Sequence, residues 1–408
     1  MLSDFQKKRI AVFKSALEPS AETGRIDMNT VRKYGFEGIP DDCGLRSIYW
    51  KLLLGYLPDD KTLWYDTVME ERKKYKGLKE YFIPQRETEL EKKASNPAYR
   101  TDDLDRLTVI KNDVHRTLPD LHFFSVGGSG TQHGQSLVDI LYVYSRTNSA
   151  IQYVQGMNEI LAPILYVLCT DPPGENLEDV EADAFFCFSR LMAEIDGCFC
   201  RRFDGSMLDT HSTIGKYNAL LATLDPELFV HFARLGLDPR FYSLRWLSLL
   251  FSQELQLPDT LRLWDSLFAD DRRFEFLLFF ACAMVIIRKE ELMKASFAEA
   301  LELLQNYPPM DIAEVIKFAK HMRATTPKEK LFPKTLEATV MALSNTAGPQ
   351  GAQTAGAGTG TAGAAAGGSG QGASGSGSGS GSSNTQRHSF HSGRKSESSI
   401  FRRLLNKN

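Results

Sequence analysis

The sequence predicts an all-α protein built of two packed helical subdomains. Its apolar positions recur on broad helical faces rather than alternating along the chain. Runs rich in Val, Ile and Thr that alternate polar and apolar, as half-buried strands require, are nearly missing. Glycine is scarce outside one segment: residues 345–386 hold 14 of the 31 glycines, leaving 17 among the other 366 positions.

The elements follow in chain order. Residues 110–115 read as a helix that has to end before Pro119, because the residue preceding a proline is turned away from the helical region. Residues 160–168 are an apolar run entered from a glycine and read as a buried helix. Residues 185–195, 244–250 and 261–268 place their apolar side chains on one broad face each. Residues 276–287 are 12 consecutive apolar positions between Glu275 and Arg288. A membrane span needs about 20, so this run is expected to be a core helix. Leu57-Pro58-Asp59-Asp60, Gly127-Gly128-Ser129-Gly130, Asp171-Pro172-Pro173-Gly174 and Tyr307-Pro308-Pro309 carry turn chemistry and are expected as loops. Residues 64–106 are rich in charge and hold no recognisable motif; a long loop and extra helices are both open there. A body of roughly 340 residues exceeds what one core usually supports, hence the expectation of two subdomains.

Charge divides the chain as sharply as glycine does. Of the net −3, residues 387–408 carry +5, leaving −8 for residues 1–386. A body of that sign lacks the basic footprint of a general nucleic-acid binder. The start, Met1-Leu2-Ser3-Asp4-Phe5-Gln6-Lys7-Lys8-Arg9, turns polar at once and does not resemble a signal peptide. Six cysteines make no disulfide framework, so a cytoplasmic, reduced protein is expected. Residues 345–386 contain no charge and too little apolar surface to offset the entropy of ordering, and are expected to be a disordered linker. The short basic tail at 387–408 contains Ile400-Phe401-Arg402-Arg403-Leu404-Leu405; a disordered end and a membrane-surface or partner contact are both open.

Most sites suggested by short motifs fail on chemistry. The Gly127 loop lacks the Lys-Ser/Thr of a phosphate loop, and no strand-like run precedes it. Cys198-Phe199-Cys200 has the wrong spacing for a zinc knuckle, and no metal site is expected. The eight histidines are scattered, and no Ser-His-Asp or Cys-His arrangement stands out. Two segments remain. In Ile110-Lys111-Asn112-Asp113-Val114-His115-Arg116, Asp113 and Arg116 lie three apart on one helical face, near its C-terminal end. Taken alone, they read first as a surface ion pair whose cation suits the helix dipole. In Ile151-Gln152-Tyr153-Val154-Gln155-Gly156-Met157-Asn158-Glu159, Gly156 leaves the backbone accessible just before a buried helix; Tyr153 and Gln155 could simply be polar caps.

Together the two segments match a pattern. Ile-x-x-Asp-x-x-Arg, followed about forty residues later by Tyr-x-Gln-Gly-Met, resembles the TBC-domain GTPase-activating proteins, which act on Rab small GTPases. Gly38-Ile39-Pro40 with Arg46-x-x-x-Trp50 resembles that family's opening block. Tyr242-x-x-Arg245-Trp246, Leu257-Pro258 and Leu261-x-Leu263-Trp264-Asp265 resemble its later block. The similarity is greatest to a short type whose domain fills nearly the whole chain. It implies a helical lead-in at 1–33 and a Rab-GAP TBC domain at 34–344. Glu37 departs from the pattern, where a basic residue is frequent, as does Val154, where Cys is common.

The resemblance also implies roles. Arg116 would be an arginine finger and Gln155 a glutamine finger, both reaching into the GTPase. Asp113, Tyr153 and Gly156 would be supporting or partner-binding residues: Asp113 orienting Arg116 or touching the partner, and Tyr153 holding the Gln155 loop. The partner would be a GTP-bound Rab that brings the GTP and Mg²⁺, leaving this chain no cofactor of its own. The work would belong to vesicle trafficking, with recruitment to endomembranes left open. A catalytically silent Rab-binding effector or scaffold is the alternative; it would have no chemical need for both fingers.

Overall fold

A computed structural model describes residues 3–327 apart from 42, 125–128, 150 and 200–212. The linker and tail expected at 345–408, Gly127-Gly128 and Cys200 lie outside the described residues. Sixteen α-helices are present among those described, and no strand. In order they are α1 (Asp4–Ala16), α2 (Met28–Phe36), α3 (Arg46–Leu53), α4 (Trp64–Ser95), α5 (Asp102–His115), α6 (Ser129–Thr147), α7 (Met157–Thr170) and α8 (Leu177–Phe199). There follow α9 (Thr213–Leu224), α10 (Pro226–Leu235), α11 (Ser243–Ser248), α12 (Leu257–Ala269), α13 (Glu275–Ile287), α14 (Lys289–Leu292), α15 (Phe297–Gln305) and α16 (Ile312–Thr325). Ser129 and Gly130, expected within a glycine loop, instead open α6.

The helix starts follow local chemistry. Ser3 and Ser296 form reciprocal capping boxes with Gln6 and Glu299. Asp225 accepts from Leu228 N ahead of Pro226, whose fixed φ suits the first helical position. Thr101 caps α5, and Asp102, Asp103 and Asp105 fill its first turn, where negative charge suits the dipole.

The helices pack in two groups. Helices α4 to α8 form one, with α7 set against α5, α6 and α8. Helices α9 to α16 form the other around α13, which is buried from Phe276 to Ile286 and lies against α9, α11 and α16. Helices α2 and α3 lean on α12, which also touches α7, so one apolar core runs unbroken from Phe13 to Met322. No described helix is long and apolar enough to cross a membrane.

The charged stretch at 64–106 holds two helices, chiefly the 32-residue α4. Helix α4 packs Trp64, Val68, Tyr75, Leu78 and Phe82 against the core, and interleaves them with charged side chains that meet buried carboxylates. Arg72 donates to the buried Asp183 through Nε at 2.9 Å and Nη2 at 2.8 Å. Tyr75 Oη and Lys79 Nζ donate to Glu181 Oε1 at 2.7 and 2.6 Å, and Arg86 Nη1 donates to Asp139 Oδ1 at 2.6 Å. Lys51 and Tyr56 supply Asp183 with two further donors, at 2.7 and 2.6 Å. Buried carboxylates are tolerable only when paired and hydrogen-bonded, and here each is.

Candidate functional site

Helix α5 ends at His115, and Arg116 takes the capping position with φ −101° and ψ 4°. One turn back lies Asp113, whose side chain is 5% exposed against 59% for Arg116. The guanidinium donates to Asp113 Oδ1 through Nη2 at 2.7 Å and Nε at 3.2 Å. The cation therefore stands at the surface while its carboxylate is sunk beneath it.

The other carboxylate oxygen is taken up from across the molecule. Tyr153 Oη donates to Asp113 Oδ2 at 2.7 Å, joining residues 40 apart. Burial, then the adjacent Asp113 carboxylate, holds the Tyr153 phenol far above its ordinary pKa, so it stays a donor. Asn158 fills the space behind. Its Oδ1 accepts from Gly156 N at 3.2 Å and lies 3.1 Å from Tyr153 Oη. Its Nδ2 donates to Thr117 Oγ1 at 2.8 Å and Glu159 Oε1 at 3.0 Å, while Thr117 Oγ1 donates to the Asp113 carbonyl at 2.9 Å. Glu159 is buried too, and burial pushes its carboxyl above the ordinary range.

Gln155 stands on the bend between these anchors. It is exposed, and among the described residues its side chain makes no hydrogen bond. Gly156 has φ +103°, a region L side chains avoid, and a Cβ there would lie 2.7 Å from Leu249 Cδ2 at the end of α11. Gln152, at the loop's start, has φ +60° without being glycine, a conformation that costs about 1–3 kcal/mol and persists only where its surroundings enforce it.

The residues singled out from sequence thus fall together. Asp113, Arg116 and Tyr153 share hydrogen bonds, Gly156 joins through Asn158, and Gln155 projects from the same loop. Tyr153 and Gln155 are not helix caps: α7 begins after Gly156 with no side-chain cap. Thr117 and Asn158 went unnoticed. Asn158 and Glu159 are polar residues at the head of the apolar run 160–168, and buried polar groups there need partners, which is the signal that would have exposed them. Tyr153→Phe removes one buried donor and is expected to lower stability by about 1–3 kcal/mol. An unchanged urea midpoint would show that Asp113 needs no second partner.

The family descriptor "Rab-GTPase-TBC domain" matches residues 43–293, a span that holds both segments. The chain belongs to the Rab-GTPase-TBC family. Human TBC1 domain family member 13 is 32% identical over 403 residues, covering 79% of this chain and 99% of that one. The GTPase-activating protein gyp1 of Schizosaccharomyces pombe is 28% identical, over 70% of this chain and 55% of its own. Among solved structures, the Ypt/Rab-GAP domain of Gyp1p superposes with a TM-score of 0.65 at 23% identity, covering 78% of this chain and 98% of that one. This last likeness establishes the all-α TBC fold. The match to member 13 fits the short type of TBC protein, and nearly all of that relative is represented here.

The TBC sequence blocks at the two ends of the domain meet in space. Asp265 of α12, wholly buried, accepts from Arg46 Nε at 3.1 Å, Trp50 Nε1 at 2.8 Å and Ile39 N at 2.9 Å. Asp171, after α7, accepts from Arg46 N at 2.7 Å and from Gly44 N, capping α3 from a distance. Glu37, which departs from the pattern, pairs with Lys320 of α16 at the surface.

Proposed function

We propose that this TBC protein is a GTPase-activating protein for a Rab-family small GTPase and completes its partner's active site with Arg116 and Gln155. The observation that carries the proposal is one shared carboxylate. Asp113 grips the exposed Arg116 with one oxygen and, through Tyr153, the loop bearing Gln155 with the other. Two exposed side chains of the kinds phosphoryl transfer needs are thereby set on a common, buried anchor.

The chemistry follows from the transition state of GTP hydrolysis, which accumulates charge on phosphoryl oxygens and needs an oriented water. Arg116 presents a planar fork of donors to that charge. The Gln155 amide, unengaged among the described residues, can accept from the water and donate to the γ-phosphate, the task a glutamine performs in GTPases of the Ras type. GTP and Mg²⁺ come with the partner. This chain is an activator, acting in the cytoplasm at the endomembranes where its partner resides.

Single-turnover hydrolysis by a panel of GTP-loaded Rabs tests the reading. At least one Rab is expected to be accelerated, and Gln155→Ala to lose about 10²-fold or more of the acceleration. Binding without acceleration of any Rab would mean an effector or scaffold instead.

A further inference from the structure

Gln155 is held by more than its neighbours in the chain. Gln152, three residues before it, accepts through Oε1 from Arg106 Nη2 at 3.0 Å. Arg106 belongs to α5 and lies seven residues, two helical turns, before Asp113, so both reach from one face. Its other terminal nitrogen, Nη1, donates to Asp103 Oδ1 at 2.7 Å. Arg146 of α6 takes Asp103 Oδ2, and its guanidinium lies 5.5 Å over the Phe82 ring of α4. The Arg106 side chain is 15% exposed, so its direction is fixed by packing as well as by Asp103.

We infer that Arg106 and Gln152 form a clamp that positions the Gln155 loop on α5, so that the helix ending in Arg116 sets the placement of both fingers. The inference rests on the reading of Gln155 as a finger. Two tethers, Arg106 to Gln152 and Asp113 to Tyr153, join the loop to two successive points on one rigid helix. Asn158 holds the far end of the loop through Gly156, and the Arg106 bond fixes its near end on α5. It also explains why a glutamine is kept in the left-handed conformation at 152: the Arg106 bond is one of the forces that hold it there. Arg106 is a positioning residue, acting through Gln152 and the backbone to Gln155.

The test is single-turnover hydrolysis on an accelerated Rab, with the activator titrated to saturation so that maximal rate and half-saturation separate. Arg106→Ala and Gln152→Ala are each expected to lower the maximal rate about tenfold, as small misplacements of a catalytic group do, with half-saturation within about twofold. Gln152→Glu keeps an acceptor for Arg106 and is expected to stay near the wild-type rate. In a Gln155→Ala background, Arg106→Ala should add no further loss. Thermal midpoints should move little, because Gln152 is exposed and Asp103 retains Arg146. The clamp is overturned by wild-type rates in both alanine variants, by a Gln152→Glu as slow as Gln152→Ala, or by a full additional loss in the Gln155→Ala background. A Gln155→Ala variant that hydrolyses normally removes the finger reading itself, and the clamp with it; a slow Gln155→Ala beside fast clamp variants removes the clamp alone.

Discussion

Arg116→Ala is expected to lose about 10³-fold or more of the acceleration of GTP hydrolysis, the range an arginine finger commands. The effect on stability should be smaller. The guanidinium is 59% exposed, and exposed ion pairs contribute little to folding. What removal does leave is a buried Asp113 with Tyr153 as its remaining side-chain donor, a cost of about 1–3 kcal/mol. Arg116→Lys separates the two effects. A lysine restores a cation beside Asp113 and should recover the urea midpoint. It offers no planar fork, so the rate should stay at least about a hundredfold below wild type. A lysine variant within tenfold of wild type would show that charge alone suffices and that no directed finger operates.

The sequence made this site legible in its parts and not in its joint. Asp113 and Arg116 are three apart, so their pairing follows from helix periodicity. That Tyr153 closes on the same carboxylate does not follow, because the residues lie 40 apart and only the packing of α5 against α7 joins them. Helix α13 was readable because it is apolar on every side and buried on every side. Helix α4 was harder to read, since the apolar residues it sets on the core are interleaved with Arg72, Lys79 and Arg86, which dock onto acidic partners. Arg106 and Gln152 were equally silent: each is an ordinary polar residue until the fold sets them 3.0 Å apart. The family pattern located Arg46, Trp50 and Asp265 but gave no reason for them, which their meeting in the core supplies.

That meeting predicts the largest structural effect in the molecule. Asp265→Ala is expected to destabilise the protein by about 3–5 kcal/mol, because breaking a buried pair leaves its partner charge uncompensated. Arg46 is only 7% exposed at its side chain, and its other carboxylate, Asp41, lies at the surface at 76%. Trp50 Nε1 and Ile39 N would lose their acceptor at the same time. Asp265→Asn removes the charge yet keeps one carbonyl acceptor, so it should fall between wild type and Ala. Arg46→Met with Asp265→Asn removes both charges and should recover part of the loss, since a buried pair exchanged for uncharged groups is often near neutral. It should not recover all of it, because the backbone and indole donors still share a single acceptor. Urea midpoints of the three variants should therefore rank double variant above Asn above Ala; an Ala variant within about 1 kcal/mol of wild type would refute the network's role. Function gives an independent reading. Helix α12 touches α7 and packs on α3, but Asp265 is bonded to neither Arg116 nor Gln155. At a temperature where Asp265→Asn is still folded, it should accelerate hydrolysis as wild type does, whereas Arg116→Lys should fold and fail.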